Sequence, residues 1–273
     1  MKFEDYKKLH NLFPLEKTEQ SWTFTVEAKE ERRVVKRYSS EFDKLREELA
    51  YSYVRTFGLL KIPEIFFSGK DFIEMELLEA IEPPSLEEII RGISEMYIKL
   101  MNDSKPKGYF PRTDLTKNKL LARLEYLPVK LERRGIVDKN LFEKSEDFVD
   151  ERYVIPEHYC LVHGDLKSPH IIKSRNGLFF IDLALVSVAN PWYDLAFLYM
   201  EKKDKRGVLE ELSSRSFEFL GRDFSINKKD IEIFLQSAIF YRSLYDVGFA
   251  ARHRTDKTLK RTIRDLSDIL ERH

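Results

Sequence analysis

Leu161-Val162-His163-Gly164-Asp165-Leu166-Lys167-Ser168-Pro169-His170-Ile171-Ile172 decides the reading of this chain, together with Phe179-Phe180-Ile181-Asp182 and Pro191-Trp192-Tyr193-Asp194-Leu195-Ala196 further on. Apolar residues run up to His163 and resume after His170, the pattern of one strand entering a loop and another leaving it. Asp165 therefore stands on a supported, exposed turn. The next apolar run ends on a second acid, Asp182. Two carboxylates held by neighbouring strand ends can divide the work of phosphoryl transfer, one orienting an acceptor hydroxyl and the other holding magnesium on phosphates.

Toward the N-terminus, Ser21 to Ala28 and Arg32 to Tyr38 read as strands around the charged turn Lys29, Glu30, Glu31. Ser40 with Asp43 three residues on marks a helix start and Gly58 a left-handed stop, which predicts a helix over 41–57. Ile65 to Phe67 and Phe72 to Leu78 fit two more strands about the turn Ser68, Gly69, Lys70, Asp71. After Pro83 and Pro84, a candidate hinge, Leu86, Ile89, Ile90, Ile93, Met96, Tyr97 and Leu100 recur with helical period. Further helices are expected over about 115–134, 140–150, 205–220 and 228–270, with short strands and loops over 158–187. The sum is an α+β chain: a small antiparallel sheet with one helix over 1–80, and a larger, mostly helical part over 81–273.

The His-Gly-Asp loop, the aspartate closing the following apolar run and the later Tyr-Asp-Leu-Ala resemble the aminoglycoside phosphotransferase and choline kinase family, part of the protein-kinase-like superfamily. The resemblance covers most of the chain. It implies a bilobal kinase-like fold, with residues 1–80 as the nucleotide-binding lobe and 81–273 carrying the catalytic loop and acceptor cleft. It implies ATP and Mg2+ as cofactors, Asp165 as catalytic base, Asp182 as metal ligand, His163 in a structural role and Asp194 bracing the large lobe. The position five residues after the base, usually asparagine, is His170 here; as a second metal ligand its imidazole would shift preference toward Mn2+.

In the same resemblance Lys36 is the phosphate-binding lysine. Independently, it sits between Val34 and Tyr38 on one face of its strand, an unusual place for a purely solvated cation. Its partner comes from the following helix, where Glu47 and Glu48 both qualify. Phe42, Leu45, Leu49, Ser52 and Thr56 define a face that Glu48 borders, which favours Glu48; Ala50, Val54 and Phe57 form a second stripe beside Glu47. Adenine is expected against the backbone around Glu76 to Glu79. Two departures stand out. No glycine precedes Gly58, so the glycine-rich phosphate loop is absent, and Thr18 and Ser21 within Lys17 to Ser21 are the hydroxyl donors in its place. Leu183-Ala184 follows Asp182 where protein kinases have Phe-Gly.

Forty-seven basic residues balance forty-seven acidic ones, so no global field draws nucleic acid or anionic membrane. Cys160 is the single cysteine, the N-terminus lacks the apolar core of a signal peptide, and no apolar run approaches a bilayer span, which together predict a cytoplasmic protein. The expected activity is transfer of the ATP γ-phosphate to a hydroxyl of a small molecule, without nucleic acid or membrane partners. Its rivals are a non-catalytic nucleotide-binding pseudokinase, favoured by the missing glycines and His170, and an atypical kinase acting on protein. Arg252, His253, Arg254, Lys257, Lys260, Arg261 and Arg264 read as a solvated helix face, being interrupted by Asp256. Phe240, Tyr241, Tyr245 and Phe249 read as core or as a wall of the acceptor cleft.

Overall fold

Residues 21–28 and 31–38 run extended, so each of these strands offers one row of side chains to either face of the first sheet. The computed structural model describes every residue except 19–20, 29–30, 102–104, 114, 136–138, 155–157, 203, 206, 254–255 and 272–273. Lys29 and Glu30 of the expected charged turn lie outside the described residues. The chain packs as two compact units, Met1–Lys99 with His163–Val186 and Leu100–Val162 with Ser187–His273.

The first unit opens with α1 (Phe3–Leu9), followed by β1 (Leu12–Lys17), β2 (Ser21–Ala28) and β3 (Glu31–Tyr38). Then come α2 (Glu41–Thr56), β4 (Ile65–Ser68), β5 (Phe72–Glu76) and α3 (Leu86–Lys99). The five strands form an antiparallel sheet in the order β1-β2-β3-β5-β4. Val35 and Phe72 face one way and pack with Phe3, Tyr6 and Val26, so α1 covers that side. Tyr38, Ile73 and Met75 face the other way. Helix α2 starts where expected: Ser40 Oγ accepts the Asp43 N–H at 3.1 Å, and Gly58 follows its end at φ 56°.

Residues 163–186 belong to this unit too. They carry β7 (Ile171–Ser174) and β8 (Gly177–Phe180), an antiparallel pair, and a short 3-10 turn over Leu183–Leu185. This differs from a single division near residue 80. The Glu82 backbone bridges to Lys173, the Phe180 N–H donates to the Lys61 carbonyl at 2.9 Å, and Gly92 of α3 lies against Leu178 and Phe180, so α3 and the loop segment pack with the sheet.

The second unit holds α4 (Lys117–Glu132), α5 (Lys139–Glu151), β6 (Cys160–Val162) and β9 (Ser187–Ala189), the two strands pairing antiparallel. It continues through α6 (Trp192–Glu201), α7 (Val208–Ser216), a π-helical turn over Phe217–Gly221, α8 (Lys228–His253) and α9 (Asp256–Glu271). The single helix expected over 228–270 is thus two helices. Asp194 is fully buried in the first turn of α6, and Cys160 is buried, its thiol pushed well up by burial and by the nearby Asp194 carboxylate. Among the described residues no helix is long and apolar enough to cross a membrane.

Candidate active site

Strand β3 places Lys36 on the face opposite Val35, and there its ammonium makes two charge-assisted bonds. Lys36 Nζ donates to Glu47 Oε2 at 2.8 Å and to Asp182 Oδ1 at 2.9 Å. The partner from α2 is therefore Glu47 and not Glu48. Glu47 is 0 % exposed and shares the inward stripe with Ala50, Tyr51 and Val54. Phe42, Leu45 and Leu49, the face that pointed to Glu48, are 72 %, 53 % and 39 % exposed. Glu48 instead pairs along the helix with Lys44 at 2.7 Å.

Burial alone would lower the Lys36 ammonium, but Glu47 and Asp182 outweigh it and hold the group above its ordinary value. Burial pushes the Glu47 carboxyl up, with Lys36 opposing. Burial also works to raise Asp182, and Lys36 and His170 overcome it, so this carboxyl stays below its usual range.

Asp182 adopts φ 59°, ψ 59°, a left-handed conformation that few residues other than glycine accept. Its N–H donates to Tyr51 Oη at 3.2 Å, which ties the turn after β8 to α2. The loop before β7 is fixed by two histidines. His163, fully buried, donates from Nε2 to the Ile181 carbonyl at 3.0 Å and accepts the Asp165 N–H at Nδ1 across 3.4 Å. Both partners require a neutral ring, and burial lowers its pKa to about 4. Gly164 between them has φ +82°, and a Cβ there would lie 2.0 Å from the Leu185 carbonyl oxygen, so only glycine fits.

Asp165 meets Lys167 Nζ at 2.5 Å. His170 Nδ1 lies 2.8 Å from the Asp165 carbonyl oxygen, which only accepts, so Nδ1 carries the hydrogen. The same ring brings Nε2 to 3.4 Å from Asp182 Oδ2. Among the described residues no group of three or more His, Cys, Asp or Glu side chains forms a self-sufficient metal site. The carboxylate oxygens of Asp182 are the donor type that a hard divalent ion takes, its shell being completed by water and phosphate oxygens.

Asp165, His170, Asp182 and Lys36 all lie in the first unit; Glu48 lies there too, but it pairs with Lys44 and not with Lys36. Sequence reasoning passed over Lys167 and Tyr51. Lys167 had a signal, a cation two residues after the acid; Tyr51 had none beyond its place in a helix. The hydroxyls at the β1–β2 turn serve the turn itself: Ser21 N–H donates to Thr18 Oγ1 at 3.0 Å, and Thr18 Oγ1 donates to the Ser21 carbonyl at 3.1 Å.

A five-stranded antiparallel sheet with a helix, a mostly helical C-terminal part and this cluster define a kinase-like α+β fold. The chain belongs to the phosphotransferase enzyme family, whose model matches residues 14–218. It is 31 % identical over 96 residues to an aminoglycoside 3'-phosphotransferase of Campylobacter jejuni, a match covering 32 % of this chain and 38 % of that protein. The chain spans less than two thirds of the length of the curated relatives it matches. The streptomycin-ATP-APH(2")-IIa ternary complex superposes with a TM-score of 0.64 at 18 % identity, covering 99 % of this chain and 96 % of that one. A choline kinase from Cryptosporidium parvum superposes with a TM-score of 0.64 at 12 % identity, covering 97 % and 91 %.

Proposed function

We propose that the chain is an ATP-dependent phosphotransferase that moves the γ-phosphate to a hydroxyl of a small molecule. The observation that carries this is a single ammonium, Lys36, bonded at once to Glu47 and Asp182, with His170 joining Asp182 to the backbone of Asp165. Lys36, oriented by Glu47, is the contact for the nucleotide phosphates, and the backbone after β5, around Glu76 to Glu79, is the contact for adenine. Asp182 and His170 are the protein's ligands for Mg2+ or Mn2+, which when bound neutralises phosphate charge. Asp165 steers and accepts the proton of the attacking hydroxyl. Lys167, paired with that carboxylate, lends positive charge beside the phosphoryl group in transfer. That the relatives include proteins whose names specify aminoglycosides and choline supports a small hydroxyl compound as acceptor.

Calorimetric titration with ATP, in magnesium and then in manganese, tests the reading on the wild type and Asp182→Ala. Metal-dependent binding that weakens by an order of magnitude or more in the variant is expected, roughly the loss of one charge-assisted contact. In Asp165→Ala, ATP binding should persist while transfer to an acceptor falls by about 10² to 10⁴. No ATP binding with either metal would sink the mechanism. Binding without transfer to any member of a broad hydroxyl panel would favour the non-catalytic alternative, and a phosphoprotein product the protein-directed one.

A further inference from the structure

The peptide unit between Ile181 and Asp182 is held at both ends. Its carbonyl accepts from His163 Nε2 at 3.0 Å, and its N–H donates to Tyr51 Oη at 3.2 Å. Tyr51 is buried on the inward face of α2, four residues and about one turn beyond Glu47, so a single helix face presents both to the segment that carries Asp182. The Tyr51 hydroxyl also stands against the Glu47 carboxylate, which takes the Lys36 ammonium on Oε2 and buries Oε1. A hydroxyl that accepts one hydrogen keeps its own to give, and Glu47 is the acceptor beside it. Lys36 closes the circuit through the side chain, with Nζ 2.9 Å from Asp182 Oδ1.

Asp182 needs this support. At φ 59° it keeps a conformation that residues with a Cβ hold when their surroundings fix them there, and rotation about that bond would swing the carboxylate off its present line. Lys36 takes Oδ1, which leaves Oδ2, 3.4 Å from His170 Nε2, for an ion. The direction of Oδ2 then follows from the backbone, and the backbone from its two anchors. His163 belongs to the same stretch of chain as Asp182, whereas Tyr51 reaches in from 131 positions away. We propose that Tyr51 is a positioning residue for phosphoryl transfer: it fixes the peptide before Asp182 so that the carboxylate is aimed before ion or nucleotide arrives, and affinity for the divalent ion is thereby set from α2. This rests on the phosphotransferase reading above and adds to it a residue that acts through Asp182.

Tyr51→Phe removes the hydroxyl and keeps the ring that fills the core. Tyr38→Phe is its control: Tyr38 of β3 sets a buried hydroxyl beside the same Glu47 carboxylate but, among the described residues, has no bond to the 181–182 peptide. Calorimetry of ATP binding, first in EDTA and then in magnesium and in manganese, reads the tightening that the ion gives. In Tyr51→Phe the affinity in EDTA should stay within about twofold of the wild type while the ion-dependent tightening shrinks by about tenfold, the scale of one hydrogen bond whose partner is left buried. In Tyr38→Phe the tightening should be kept. A tightening retained in both variants, or lost equally in both, would overturn the role. Amide exchange followed by NMR without nucleotide gives a second readout. The Asp182 amide should exchange about tenfold faster in Tyr51→Phe relative to the Phe180 amide, which bonds to the Lys61 carbonyl and reports general loosening. An unchanged ratio would overturn the role even if ion affinity fell. A wild type without metal-linked ATP binding would sink the phosphotransferase reading and this role with it, whereas a wild type that has it beside an unaffected Tyr51→Phe would sink the role alone.

Discussion

Glu47 and Glu48 differ by one position and by about 100° around the helix axis, and that rotation decides which of them meets Lys36. Replacing Glu47 with Gln removes the only partner of Lys36 that α2 supplies from a fully buried site. Unfolding in urea should show a loss of about 3 kcal/mol, the scale for breaking a buried pair, and calorimetry a weaker affinity for ATP. Glu48→Gln alters a partly exposed acid bonded to Lys44 and Ser68 and should stay within about 0.5 kcal/mol of the wild type. Equal losses in the two variants would show that the inward pairing is not what holds this site. The sequence could not separate the two acids because α2 carries two apolar stripes, and one of them, Phe42, Leu45 and Leu49, is exposed. Nor could it show that Lys36 meets Asp182, a contact across 146 positions that only tertiary packing makes. What it did carry was residue type in ordered spacing: two acids and a histidine around a glycine-bearing turn.

At the scale of elements, α3 illustrates how a local signal and a long-range one combine. Ser85 and Glu88 cap each other, with Ser85 N–H donating to Glu88 Oε2 at 2.8 Å and Glu88 N–H donating to Ser85 Oγ at 3.2 Å. Glu88 Oε1 also receives Lys173 of β7 at 2.5 Å, and the same lysine holds Glu82 at 2.6 Å, so the segment after β5 and the start of α3 are clamped to β7. The Lys173 bond first, and then the Ser85 N–H, pull the Glu88 carboxyl down to about 2. A carboxyl lowered on folding adds stability that is complete above its ordinary range and disappears only as the pH falls toward about 2. In Lys173→Met the Glu88 titration, followed by carboxyl carbon NMR, should move back toward the ordinary carboxylate range; an unchanged midpoint would show that the cap alone sets it. Elements of this kind were legible where period and cap agreed, as in β2, β3, α2 and α3. Helix α1 was not, since seven residues are too few to display a period, and β1 was not, since its Pro14 and a register shift break the alternation. Strands β6 and β9, three residues each, are defined by pairing and not by pattern.

At the scale of the whole molecule, the first unit is assembled from two stretches separated in the chain, Met1–Lys99 and His163–Val186. The reason is chemical as much as geometric: Lys36 and Tyr51 come from the first stretch, Asp165, His170 and Asp182 from the second, and the bonds between Lys36 and Asp182 and between Tyr51 and Asp182 tie the two. Such a unit should respond to a ligand as one cooperative body. With ATP and a divalent ion at about 100 times Kd, binding adds about 2.7 kcal/mol to its stability, which slows the slowest amides by about 100-fold if they exchange through opening of the whole unit. Hydrogen exchange read by mass spectrometry should therefore show β3, α2 and the peptides of 163–186 protected together, to a similar extent. Protection confined to residues 1–80, with 163–186 exchanging as before, would mean that nucleotide engages the sheet alone. The link from Lys36 to Asp182 would then be a property of the fold that the ligand does not use.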